Sequence, residues 1–218
     1  KTKDLVETLY IELLDVLNSH FQHAPYLLGE SPCIGDFGLL APLYGHLARD
    51  PHPAALMKKR APRVYRWVER MNRASQDAQE YFDCDTDFFQ KNEVPETLIA
   101  VLRVLSQDFV PETVASAKCL NVWLSEQNPR TDSPAVFQLG TSPLGNIEFQ
   151  VRDRLIKAAI VPYRHFQLQR IHQIFDEVET KVQMQIKQML ESCGMANLLN
   201  IRLNRLIGRR DNLEVWLD

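Results

Sequence analysis

The chain has 218 residues, room for one large domain or one domain with a sizeable extension. Apolar residues make up 45% and charged residues 24%, with a net charge of −3, so nothing global points to nucleic acid or to an acidic membrane surface. Apolar runs are short and broken by charge, which argues against a membrane span. Lys1-Thr2-Lys3-Asp4 leads into an amphipathic pattern and not into a signal peptide.

From Asp4 to Phe21, the residues Val6, Leu9, Tyr10, Leu13, Leu14, Leu17 and Phe21 recur at helical spacing, opposite Glu7, Glu12 and Asp15. This predicts a surface helix with a buried stripe. His20 to Ser31 reads as a loop punctuated by Pro25 and Gly29. A second helix is expected from about Ile34 to Arg49. It carries almost no charge between Asp36 and His46, which predicts a central, buried position. Gly35, Gly38 and Gly45 lie on it. Glycine costs about 1 kcal/mol in a helix interior, so these three suggest close approach of neighbouring backbones. Pro42 cannot donate to the Gly38 carbonyl and should bend the helix, and Asp50-Pro51-His52-Pro53 ends it.

Ala61 to Arg73 predicts a helix with Pro62 in its first turn and Val64, Trp67, Val68 and Met71 inward. Val94-Pro95-Glu96 opens another, with Leu98, Leu102 and Leu105 inward. Pro111 either kinks it or starts a new helix containing Val114, Ala117, Leu120 and Leu124. Beyond Asn128 the texture changes. Val136–Leu139 and Ile147–Val151 read as two short strands joined through Gly140–Asn146. A glutamine-rich helix from about Pro162 to Cys193, with room for one break, stops at Gly194. Ile201–Ile207 and Leu213–Leu217 alternate again around a turn at Gly208–Asn212. The expected fold is therefore mainly α, with an appended helix and a small antiparallel β-sheet. The expected division is a helical domain over 1–127 and an α+β extension over 128–218.

The stretch Pro25-Tyr26-Leu27-Leu28-Gly29-Glu30-Ser31-Pro32-Cys33-Ile34-Gly35-Asp36-Phe37 resembles the capping segment of the glutathione S-transferase C-terminal helical domain. Pro42–Leu47, Asp50-Pro51 and Pro62–Met71 continue the likeness in order, over roughly Leu5 to Gln127. The cap has a physical basis: the Asp36 carboxylate lies three residues after Cys33 and can accept from its backbone N–H, at the helix end that favours negative charge. Cys33 departs from the Ser or Thr usual there, and a thiol accepts weakly.

The resemblance implies a two-domain protein. An upstream thioredoxin-like domain would bind glutathione as co-substrate and carry the residue that activates its thiol. The helical domain would supply part of the electrophile pocket. Dimers are usual in that family, so a homodimer is one arrangement it implies. The chain lacks an initiating Met and reads as a piece of such a protein, without the glutathione site. No cofactor and no catalytic residue is assigned within it. Tyr10, Tyr44, Tyr163 and Arg170 are candidates for pocket walls, and Cys33 and Asp36 are the structural N-cap. A non-enzymatic interaction scaffold using the same fold is the alternative.

Other clusters favour structural readings. The run Lys58, Lys59, Arg60, Arg63, Arg66, Arg70 and Arg73 reads as a solvated face, followed by Asp77, Glu80, Asp83, Asp85 and Asp87. In the segment after Val161, helical spacing puts Tyr163, Gln167 and Arg170 on one face and His165, Gln169 and His172 on another. The six histidines show no metal-ligand spacing, and His46 reads as a satisfied core residue. Cys33, Cys84, Cys119 and Cys193 form no Cys-x-x-Cys pair and fit reduced thiols in a cytoplasmic protein, with Cys84 blunted by its acidic neighbours.

Overall fold

A computed structural model describes residues 2–73, 81, 88–90, 93–135 and 144–217. The protein is mainly helical, with seven α-helices and two small antiparallel sheets among the described residues. It divides into two compact units, Lys1–Val104 and Leu105–Asp218. The division falls inside one long helix, not at residue 128 where the composition changes. None of the helices is long and apolar enough to cross a membrane.

The first unit opens with α1 (Lys3–His20), which buries Tyr10, Leu14, Leu17 and His20 and leaves Val6 exposed. Helix α2 (Ile34–Pro42) runs into one π-helical turn, Leu43–Leu47. Pro42 has no N–H for the Gly38 carbonyl, and the ladder resumes in a wider register in which Ala48 N–H donates to Leu43 O at 2.7 Å. Helix α3 (Pro51–Arg60), which the sequence reading took only as a stop, starts on Pro51 at a position where a missing N–H costs nothing. Helix α4 (Pro62–Asn72) buries the expected Val64, Trp67, Val68 and Met71, with Trp67 stacked on Phe21 at 5.1 Å.

The segment from Ile34 to Arg49 corrects an expectation. It is not a buried hub: among its residues only Asp36, Leu43 and Ala48 are buried, while Ile34 is 91% and Phe37 58% exposed. His46 is exposed too and is no core histidine. Nor do the glycines mark close backbone contacts. A methyl group added at Gly38 or Gly45 would meet open space, and only Gly35 is tight, with Leu27 Cδ1 3.1 Å from such a methyl. Lack of charge on a helix records what its surface prefers, and burial needs a neighbour to cover it.

Helix α5 (Glu96–Gln127) spans both units and passes Pro111 without a break. In the second unit it buries Ala117, Leu120 and Leu124 and leaves Val114 exposed. Strand β1 (Asn146–Val151) pairs with β2 (Arg154–Ala159) across a tight turn at Arg152 and Asp153. Its partner therefore follows it; the expected strand Val136–Leu139 and its connection through Gly140–Pro143 lie outside the described residues. Ile147, Phe149 and Val151 alternate inward.

The glutamine-rich stretch is two helices, α6 (Pro162–Glu177) and α7 (Thr180–Ser192), and Gly194 follows at φ +77°. Residues Ala196–Asn200 form a 3-10 turn. Strand β3 (Ile207–Arg210) begins later than the alternation suggested, whereas β4 (Leu213–Trp216) begins at the expected Leu213. Asp211 and Asn212 both take positive φ, as a two-residue hairpin turn requires, and this fixes the register from Ile207 onward. The small β part is thus two separate hairpins and not one sheet.

Candidate functional site

In the first unit the chemistry gathers on Asp36. Its carboxylate is fully buried and accepts from three donors: Cys33 N–H at 2.9 Å, Leu27 N–H at 3.1 Å and Trp67 Nε1–H at 3.1 Å. The first bond is the predicted cap. The other two tie the preceding loop and α4 to the same carboxylate, and sequence spacing alone could not foretell them. Cys33 Sγ completes the reciprocal capping box as a weak acceptor, and burial pushes its thiol pKa up. Asp36 is thus a joint between three segments. Above it, Ile34, Phe37, Gly38, Ala41, Pro42 and Gly45 form an exposed, uncharged face at successive helical turns.

His20 sits close by. Its Nε2–H donates to Tyr26 O at 3.2 Å, so Nδ1 in the neutral ring accepts from Thr97 Oγ1–H at 2.9 Å. Burial lowers its pKa. Arg70, expected on the solvated basic face, is buried instead. It donates to Pro25 O at 2.6 Å and lies over the rings of Tyr26 and Tyr81. Arg60 pairs with Asp15, and Lys58, Lys59, Arg66 and Arg73 are exposed, as a solvated face requires. The acidic residues 77, 80, 83, 85 and 87, and Cys84, lie outside the described residues.

The four pocket candidates divide between the units. Tyr10 is buried and its hydroxyl donates to Pro53 O at 3.0 Å; burial pushes its pKa up to about 12, far from any role in thiol activation at neutral pH. Tyr44 is half-buried, with Arg49 4.0 Å above its ring. In the second unit, Tyr163 is exposed and contacts the Phe166 ring, and Arg170 is exposed and bonded to Gln167 at 3.3 Å.

The opposite face of α6 does converge. His165, Gln169, His172 and Gln173 line a pocket of about 80 Å³ with Arg202 of the segment that follows the 3-10 turn. His165 Nε2 lies 2.9 Å from Ser116 Oγ on α5, and burial lowers its pKa to about 4, helped by the charge of Arg164. His172 Nε2–H donates to Leu198 O at 2.7 Å, and burial lowers its pKa as well. Gln169 clasps the Ile207 backbone through both ends of its amide. The shared face of His165, Gln169 and His172 was legible from helical spacing; Ser116 and Arg202, 49 and 37 residues away in the chain, carried no sequence signal.

Among the described residues, no group of three or more His, Cys, Asp or Glu side chains could hold a metal, and Cys33, Cys119 and Cys193 form no disulfide. No protein-family model matches the chain, and neither a curated protein nor a solved structure matches it.

Proposed function

We propose that this chain is the C-terminal helical domain of a glutathione S-transferase-like protein, supporting an upstream thioredoxin-like domain that binds glutathione. The observation that supports the reading is the Asp36 capping box at the start of α2, whose carboxylate joins Cys33, Leu27 and Trp67. The resemblance expects the helix after the cap to be covered. The exposed face of α2 departs from that expectation, and the reading requires an element outside this chain to cover it. On this reading the chain supplies no catalytic group of its own, and glutathione activation belongs to the upstream domain. A pocket wall from Tyr44 belongs to the same proposal.

A non-enzymatic scaffold is the second reading. It is favoured by the outer face of α6, where Tyr163, Ile171 and Ile174 are 46%, 56% and 66% exposed and add surface without chemistry.

Retention of the full-length gene product on immobilised glutathione separates the two. The transferase reading expects retention, and expects Phe37→Asp to lower the melting temperature of the full-length protein while leaving the isolated chain unchanged. A full-length protein that ignores glutathione and tolerates Phe37→Asp would sink it.

A further inference from the structure

We propose that the pocket beneath α6 in the second unit binds a small carboxylate of formate or acetate size. Size sets the first limit. A buried water needs roughly 10–15 Å³ of such space, so about 80 Å³ holds several waters or a ligand of a few heavy atoms. Charge sets the second. Arg202 is the one ionised side chain in the lining, and no carboxylate lines the pocket. Its Nη2 is held by Asp176 at 3.1 Å, but both members of that pair are about half exposed, so the pair is weak and exchangeable.

The polar inventory sets the third. Gln169 is spent on the Ile207 backbone, His172 Nε2 on Leu198 O and His165 Nε2 on Ser116 Oγ. Gln173 and the other donors of the Arg202 guanidinium have no partner among the described residues, although they line the same space. Two imidazoles face that space in neutral form. Each can take up a proton when an anion enters, and Leu203 and Leu206 provide an apolar wall for a methyl group. The remaining charges near the rings are paired. Arg164 is bridged to Glu112 at 2.8 Å, and Arg202 to Asp176. A dianion would call for a second fixed cation, which the lining lacks.

The test is NMR of the histidine rings in the 218-residue chain, titrated with sodium formate against sodium chloride at equal ionic strength. Saturable shifts are expected at His165 and His172, with the exposed His52 unmoved. A bound carboxylate favours the imidazolium form, so affinity should rise as pH falls from 8 to 6. Arg202→Gln should abolish saturation, whereas Lys157→Gln, which removes an exposed cation on β2, should leave it intact. Shifts that never saturate, or saturation that survives Arg202→Gln, would overturn the proposal.

Discussion

Helices α2 and α4 invert what their compositions suggest. Helix α2 has a single charged residue and leaves Ile34 and Phe37 largely in water. Helix α4 carries Arg63, Arg66, Glu69 and Arg70 within eleven residues, yet it buries Val64, Trp67, Val68 and Met71 against α1 and α2. Burial follows the pattern of apolar positions and the presence of a neighbour to receive them; mean apolarity decides neither. The two helices meet at Asp36, which begins one and accepts from the tryptophan of the other.

The sharpest way to break this pairing is Asp36→Ala. It strands the N–H groups of Cys33, Leu27 and Trp67 inside the unit, and removing a buried charged acceptor of this kind costs about 3–5 kcal/mol. Denaturant unfolding followed by circular dichroism should show the loss; a change below 1 kcal/mol would mean the joint carries little load.

Acid should come next. His20, His165 and His172 all have folded pKa values below the ordinary histidine value, chiefly through burial. The unfolded chain then binds protons that the folded chain refuses, so stability is present above about pH 6.5 and falls as pH drops below it. For His165 the loss continues until about pH 4. Its share between pH 7 and pH 5 is on the order of 2 kcal/mol. Urea midpoints measured across that interval check the sign, and a midpoint that rises on acidification contradicts it.

Cys33→Ser replaces the weak sulfur half of the capping box with a hydroxyl and should stabilise the first unit by about 0.5–1 kcal/mol. Equal or lower stability would mean the thiol is already held well enough by its surroundings. Smallest of all is Phe37→Ser in the isolated chain, expected within about 0.5 kcal/mol of wild type because the side chain is mostly in solvent. A larger loss would show that the outward face of α2 is covered.

Much of the architecture was legible. Helix α1, helix α4, the start of α5, strand β1, the stop at Gly194 and the final hairpin all declared themselves through period, capping and turn chemistry. These signals are local, set by residues within a turn or two of each other. The misses were of another kind. Helix α3 lies where the sequence signals only a stop, because its N-terminal prolines punctuate as strongly as they initiate. Strand β2 went unread because Arg154–Ala159 has no clean alternation; pairing with β1 defines it. Of the candidate pocket residues, Tyr10 proved to be spent on the Pro53 carbonyl, 43 residues distant.

By itself the sequence determined where α1, α4, α5 and α6 begin, that Asp36 caps the helix after Cys33, and that His165, Gln169 and His172 share one side of α6. Each of those follows from backbone geometry and short-range hydrogen bonding. Only the tertiary structure decided that Asp36 would also hold Leu27 and Trp67, that the most apolar helix would keep an open face, and that Arg202 would join two buried imidazoles. Those outcomes depend on which surfaces meet, and contacts between residues tens of positions apart are chosen by packing of the whole unit, not by any local preference.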